Sequence, residues 1–391
     1  MLMQKKNLKP IMISGYYGFG NSGDEAILMT MIQELSKIVS KDKIYVLSQK
    51  PKETSLFYKV NAIYRLDFIS MISQIKKSSI FISGGGGLLQ DVSGKGFSII
   101  YYLGLIIIAR LFKIPTVIFA QGIGPIRKRF NVIIINSVLK HVQLIMVRDE
   151  QSKNILESSG IKNIPISVNP DVSFLLNKEE LSKEIFNKYN LNKTYKKEIK
   201  LTNIGIVIRD CKELRQDYDN KIMKLAEISD FLITKYKTNL IFIPFQFQND
   251  ITIIKDVINR MKLSKVKILE EELKPDELLT LIYGLSAIIG MRLHSIIFAT
   301  IANKPFIAVE YDPKVKYFVD SLGLNKLLIK LDELTVKNID NKLKYIETNQ
   351  EMIISKIKTK KIQFEKDVNN NIQNLYQFID DYCYREEFVK N

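Results

Sequence analysis

Several short segments of this 391-residue chain set basic or proton-carrying side chains at the ends of apolar runs, an arrangement suited to a small anion. The segment Gly290-Met291-Arg292-Leu293-His294-Ser295 holds one of only two histidines, two residues from an arginine and at the start of a helical stretch through Ala299. A helix N-terminus beside an arginine favours an anion. A histidine next to bound phosphate could move protons near neutral pH. A satisfied structural histidine is the alternative, and the flanking arginine weighs against it. His141, on a helix face with Val138, Leu139 and Val142, reads as structural. Tyr311-Asp312-Pro313-Lys314 follows another apolar run, where a lysine held by a proline turn could grip phosphate or carboxylate. Arg148 and Arg209 also end apolar runs, and each reads equally as a helix-cap ion pair. With Arg292 and Lys314 they would make a cationic set.

Three glycine-bearing loops end apolar runs in the first half of the chain. Residues 15–25 carry Gly15, Gly18, Gly20, Asn21, Ser22, Gly23 and Asp24 and open a helix. Their spacing is neither a phosphate-binding Walker loop nor a good dinucleotide fingerprint. A tight turn capped by Ser22 or Asp24 is an equal alternative. Residues 83–91 contain four consecutive glycines, Gly84 to Gly87, ahead of Gln90 and Asp91. Four glycines cost backbone entropy, which a loop hugging a ligand or another loop would justify. Gln121-Gly122-Ile123-Gly124-Pro125 ends the next run in the same manner.

The elements that must hold these loops follow from the apolar pattern. Short runs at 11–14, 44–47, 79–82, 116–120 and 144–147 alternate with helical stretches such as 22–39 and 97–112. A second series, with strands at 204–208, 240–244, 266–269, 287–289 and 306–309, follows a Lys-, Glu- and Asn-rich stretch. The fold class expected is α/β, with parallel sheets covered by helices on both faces. The expected domains are 1–176, a linker at 177–200, 201–330, and a charged helical segment at 331–391. At 46% hydrophobic and 26% charged residues the chain is globular, which excludes disorder. Two cysteines, Cys211 and Cys383, exclude a disulfide framework, and neither a metal nor a cofactor is expected. The N-terminus has no secretory pattern, and Arg110, Lys113 and Pro115 interrupt the most apolar stretch, 97–120. A cytoplasmic protein is expected. The net charge of +16 suits a solvated lysine-rich surface, or attraction to a phosphorylated substrate or to the inner face of the cell membrane. Dispersed lysines without a recognition motif argue against nucleic acid.

Taken in order, residues 15–28, 83–91, 121–125, 148–152, 291–295 and 311–315 resemble the motifs of the polysaccharide pyruvyl transferases, in particular those of the CsaB type. The resemblance spans about residues 11 to 320 and leaves 331–391 without a motif. It implies two Rossmann-like domains facing across a cleft in a GT-B-like fold. It implies phosphoenolpyruvate as donor and a sugar, often N-acetylmannosamine, in a lipid-linked secondary cell wall polymer precursor as acceptor. The product would be a pyruvate ketal of the kind that surface-layer homology domains bind, with release of phosphate. By the same resemblance Arg148, Arg209, Arg292, Leu293, His294 and Lys314 would bind phosphoenolpyruvate in the second domain. His294, with Asp210, would serve as acid–base groups. Gly20, Asn21, Asp24, Gly85, Gly86, Asp91 and Gln121 would bind the acceptor on the side of the first domain. The rival readings are a GT-B-type glycosyltransferase using a nucleotide sugar, and a catalytically silent binding protein.

Overall fold

The computed structural model describes residues 9–91, 97–176, 183–189, 191, 201–263 and 265–388. They form two compact units, each built on its own parallel sheet. The first unit is Met1–Phe19, Asp24–Leu176 and Phe364–Asn391; the second is Gly20–Gly23 and Asn177–Gln363. The linker expected at 177–200 lies largely outside the described residues.

The first sheet holds β1 (Ile11–Ser14), β2 (Ile44–Ser48), β3 (Asn61–Tyr64), β4 (Ile80–Gly84), β5 (Thr116–Gln121), β6 (Leu144–Val147) and β7 (Ile166–Val168). Their order is β3-β2-β1-β4-β5-β6-β7. Helices α1 (Ser22–Leu35), α2 (Pro51–Tyr58), α3 (Phe68–Lys77), α4 (Phe97–Leu111), α5 (Arg129–Leu139) and α6 (Glu150–Ser158) connect them. The central strands β1, β4 and β5 are buried at every position, as parallel strands covered on both faces must be. One apolar layer packs Met12, Phe81, Ile118 and Ile145 of the sheet against Met71, Ile75, Ile99, Leu103, Ile135 and Leu139 of α3, α4 and α5.

The second unit contains α7 (Lys183–Lys188), then the sheet strands β8 (Asn203–Val207), β9 (Asn239–Phe242), β10 (Val266–Ile268), β11 (Ala287–Gly290), β12 (Phe306–Glu310) and β13 (Leu328–Lys330). Their order is β10-β9-β8-β11-β12-β13. Its other helices are α8 (Lys212–Arg215), α9 (Tyr218–Tyr236), α10 (Phe247–Arg260), α11 (Pro275–Tyr283), α12 (Leu293–Ile301), α13 (Pro313–Ser321) and α14 (Val336–Thr348). The last helix, α15 (Gln350–Phe388), begins in the second unit and ends in the first, so the tail expected as one separate segment is divided. Its later part is anchored in the first unit, where the Tyr376 hydroxyl donates to the Glu34 carbonyl (2.9 Å) and carboxylate (3.0 Å).

Both sheets are Rossmann-like. In each, strand order reverses at one point, between β1 and β4 and between β8 and β11. Ligands of such sheets bind outside the carboxyl ends of the strands at that reversal. Among the described residues no helix is long and apolar enough to cross a membrane.

Candidate functional site

In the second unit the loops after β8, β9, β11 and β12 carry the polar residues. Arg292 is the N-cap of α12, directly after β11. Its guanidinium forks onto Asp250 of α10, with Nε to Oδ2 at 2.7 Å and Nη2 to Oδ1 at 2.5 Å. Nη2 also donates to the Gln246 side chain at 3.2 Å. Arg292 is 6% exposed and Asp250 is fully buried, so the pair is screened little by water. The Asp250 carboxylate further accepts the N–H groups of Phe245 (3.2 Å) and Gln246 (2.9 Å), tying the β9–α10 turn to the α12 N-terminus. Leu293 is buried in the first turn of α12, and half-buried His294 follows it.

The segment Gly20–Gly23 packs with this unit. The Ser22 N–H donates to the Phe245 carbonyl at 2.8 Å, and Asn21 bridges Gln246. Asn21 also accepts the Gly23 N–H at 3.2 Å. A Cβ on Gly23 would overlap the His294 imidazole, so only glycine leaves that ring its place. A Cβ on Gly20, where φ is +67°, would sit 3.0 Å from a Glu272 carboxylate oxygen. Gly20 and Asn21, expected on the acceptor side of the first domain, therefore belong to the second unit, against Glu272 and Gln246, and it is Gly23 that meets His294. The sequence could not show this, because adjacent residues of one loop are divided between two units.

Arg209, after β8, donates to the Tyr311 hydroxyl and lies 4.7 Å over its ring. Asp312 caps α13 by accepting the Lys314 N–H at 3.1 Å, and its carboxylate pairs with the Lys314 ammonium at 3.2 Å. Lys314 stands 5.7 Å from the same tyrosine ring. Tyr311 thus gathers two cations on the loops after β8 and β12. Each oxygen of Asp210 accepts from Arg215, at 2.8 and 2.6 Å, in a partly exposed ion pair.

In the first unit Arg148 follows β6 and packs over Gly122, whose Cβ would come within 2.6 Å of Nη2. It faces Asp171 at 3.9 Å and Asp149 at 3.7 Å, and Asp149 caps α6. The four-glycine loop follows β4 and is shaped by α1. A Cβ on Gly86 would overlap Asp24, one on Gly85 would overlap Ile27, and both glycines have φ near +70°. The close approach is therefore to the chain's own helix. The Tyr17 hydroxyl donates to the Gly84 carbonyl at 2.8 Å, and burial, with Asp24 and Glu25 nearby, pushes its pKa up. Asp91 is absorbed in capping α5. It accepts the N–H groups of Arg127 (2.8 Å) and Lys128 (2.8 Å) and the Asn131 amide (3.0 Å). Burial opposes its charge, but those donors outweigh it and hold its pKa below the usual range.

Gln121 is fully buried at the end of β5. A register shift between Ile118 and Gln121, with Ala120 at φ +51°, aims it. Ser83 Oγ donates to it at 3.5 Å, and its Nε2 has no partner. Asn169, after β7 and 2% exposed, has no partner for either amide atom, nor has Ser14 Oγ at the end of β1. Orphaned buried polar atoms each cost about 1–3 kcal/mol, so these four atoms on three residues at one sheet edge ask for a ligand or water.

Comparison with known proteins agrees with the order of the motifs. The polysaccharide pyruvyl transferase family model matches residues 21–313. The chain belongs to this family. The amylovoran biosynthesis protein AmsJ of Erwinia amylovora is 22% identical, over 93% of this chain and 97% of its own length. Among solved structures, UDP-GlcNAc 2-epimerase from Neisseria meningitidis superposes with a TM-score of 0.62 at 14% identity, covering 94% of this chain and all of that one. A glycosyltransferase from Rickettsia africae gives 0.57 at 13% identity, covering 97% of this chain and all of that one. These likenesses show the GT-B-like fold.

Within this pyruvyl transferase family chain, Asp250, Gln246, Asp171 and Asn169 were not found by sequence reasoning. Asp250 lies in a polar stretch at the start of α10, with no glycine or strand end to mark it. Asn169 and Asp171 flank Pro170 after β7, a strand too short and too weakly apolar to draw attention.

Proposed function

We propose that this protein transfers the pyruvyl group of phosphoenolpyruvate onto two hydroxyls of a polysaccharide sugar, as a ketal. The observation that carries the reading is His294 in the first turn of α12, beside an arginine fixed by Asp250, in the unit that also holds Arg209 and Lys314 around Tyr311. In the reaction the methylene carbon of the donor gains a proton and the adjacent carbon becomes cationic. One sugar hydroxyl adds to that carbon. A second hydroxyl then adds as the carbon–phosphate oxygen bond breaks. Of the two hydroxyl protons, one balances the new methyl group and the other leaves with phosphate.

His294 is assigned the proton transfer. Arg209 and Lys314 are assigned to the phosphate and carboxylate, where fixed cations favour the departing charge. Arg292, its charge balanced by Asp250, is assigned to donate to the same anion with the N–H groups that Asp250 and Gln246 leave over. Leu293 would supply the apolar floor of that turn. Arg148, in the first unit, is assigned to an anion by the resemblance of its motif. The acceptor is assigned to Asp24, Gln121, Gly85 and Gly86, and the unpartnered amides of Gln121 and Asn169 suit sugar hydroxyls. N-acetylmannosamine of a lipid-linked wall polymer, acted on at the inner face of the membrane, remains the proposed acceptor.

The test is thermal unfolding with and without millimolar phosphoenolpyruvate, beside His294→Ala and Lys314→Ala. A ligand that binds the folded state raises the midpoint. A rise that Lys314→Ala abolishes supports the reading. A rise with a nucleotide sugar and none with phosphoenolpyruvate would replace it with the glycosyltransferase reading.

A further inference from the structure

The charge of the chain is not spread evenly. Between residues 68 and 148 there is one acid, Asp91, against ten lysines and arginines, while the whole chain has 42 acids to 58 bases. That acid is closed off by the Arg127 and Lys128 N–H groups at the start of α5. The segment therefore presents cations, and the exposed carboxylate next to it is Asp67, the N-cap of α3.

The same segment forms α3, α4 and α5, which bury their inner sides on one face of the first sheet. Their outer sides are apolar. Ile100, Ile107 and Leu111 follow one another at helical spacing along α4, flanked by Phe130 and Ile133 of α5 and Ile69 of α3. Ile69 is 86% exposed and Leu111 74%, so these are whole side chains in water rather than edges of the core. Lysines and arginines border them: Lys76 and Lys77 end α3, Arg110 and Lys113 end α4, and Arg127, Lys128 and Arg129 begin α5, all exposed. Lys76 stands 5.9 Å over the Phe112 ring, cation against apolar surface. Arg110, Lys113 and His141 also line a cavity of about 210 Å³ beside this face.

A second copy of the chain is a poor occupant. A two-fold contact sets a surface against itself and would press these cations together. An anionic bilayer surface offers the opposite charge over the whole area, with an apolar interior for the side chains between, the balance that holds interfacial helices.

We infer that the outer face of α3, α4 and α5 docks on an anionic membrane surface, with Ile100, Ile107, Leu111, Phe130 and Ile133 entering the headgroup boundary and the bordering lysines and arginines bound to lipid phosphates. It rests on the proposed function only in adding that a lipid-carried acceptor is met there.

The test is co-sedimentation of the full-length protein with phosphatidylcholine vesicles, with and without phosphatidylglycerol. Binding should require phosphatidylglycerol and weaken as salt rises. Each basic residue lost should lower the partition about fivefold, from roughly 1 kcal/mol per charge near such a surface. Arg110→Glu/Lys113→Glu and Leu111→Glu/Phe130→Glu should each release the protein, while Ile362→Glu, an exposed residue of α15, should not. Melting temperature and its rise with phosphoenolpyruvate, read on each variant, separate a lost surface from a lost fold or donor site. Equal binding to both vesicle types, or unchanged binding by the Leu111→Glu/Phe130→Glu variant, overturns the inference. So does a dimer in solution that this variant splits, which would give the face to a second copy.

Discussion

The Arg292–Asp250 pair lets stability and chemistry be separated. Asp250→Ala leaves a guanidinium that is 6% exposed without its carboxylate, and two backbone N–H groups, of Phe245 and Gln246, without an acceptor. Breaking a buried pair by removing one partner costs about 3–5 kcal/mol, and the orphaned N–H groups push toward the upper end. For a unit of roughly this size that lowers the melting temperature by about 6–20 °C. Arg292→Met alone should cost a similar amount, because it strands Asp250. The double variant Asp250→Leu/Arg292→Met removes both charges and replaces them with apolar volume. Such replacements are close to neutral, so the double variant should be more stable than either single one, with a coupling of about 3 kcal/mol or more. Phosphoenolpyruvate should nonetheless fail to stabilise it, because the arginine is gone. The assay is thermal unfolding of all four proteins with and without the donor. Single variants costing under about 1 kcal/mol, or a double variant equal to the sum of the singles, would show that the two groups are not a desolvated pair.

Gly23→Ala should abolish turnover while leaving most of the melting temperature, because the three atoms nearest its new methyl all belong to the His294 imidazole; a turnover within twofold of wild type would refute the packing. Asp91→Asn should cost about 1 kcal/mol at neutral pH by weakening the cap of α5. The Asp91 pKa is lowered in the folded state, so its contribution is full above the ordinary carboxylate range and fades as pH falls through the folded value. Melts of wild type and variant should therefore converge in acid, and a gap constant with pH would sink the assignment. Asn169→Leu should hold or raise the melting temperature, since it removes two orphaned polar atoms, yet raise the KM for the acceptor; a KM unchanged from wild type would make Asn169 structural.

The central strands were legible because parallel strands buried on both faces must be continuous apolar runs: 11–14, 116–120 and 287–289 fall on β1, β5 and β11. Of the four edge strands, β10 falls within the run read at 266–269, while β3, β7 and β13 were not read, each being only three or four residues long and partly exposed. Glycine loops at strand ends were equally readable, as were the basic residues after β6, β8, β11 and β12, because local chemistry marks both. What the glycines approach was not. Gly85 and Gly86 meet Ile27 and Asp24 of α1, and Gly23 meets His294, 271 positions away. Nor could spacing show that Asp250 neutralises Arg292, that Arg215 occupies Asp210, or that Asp91 is absorbed in a helix cap. A sequence determines which side chains exist and the period at which they recur. Which charge is cancelled by which partner, and which polar atom is left for a ligand, depends on distances of about 3 Å between residues far apart in the chain, and only the folded structure sets those.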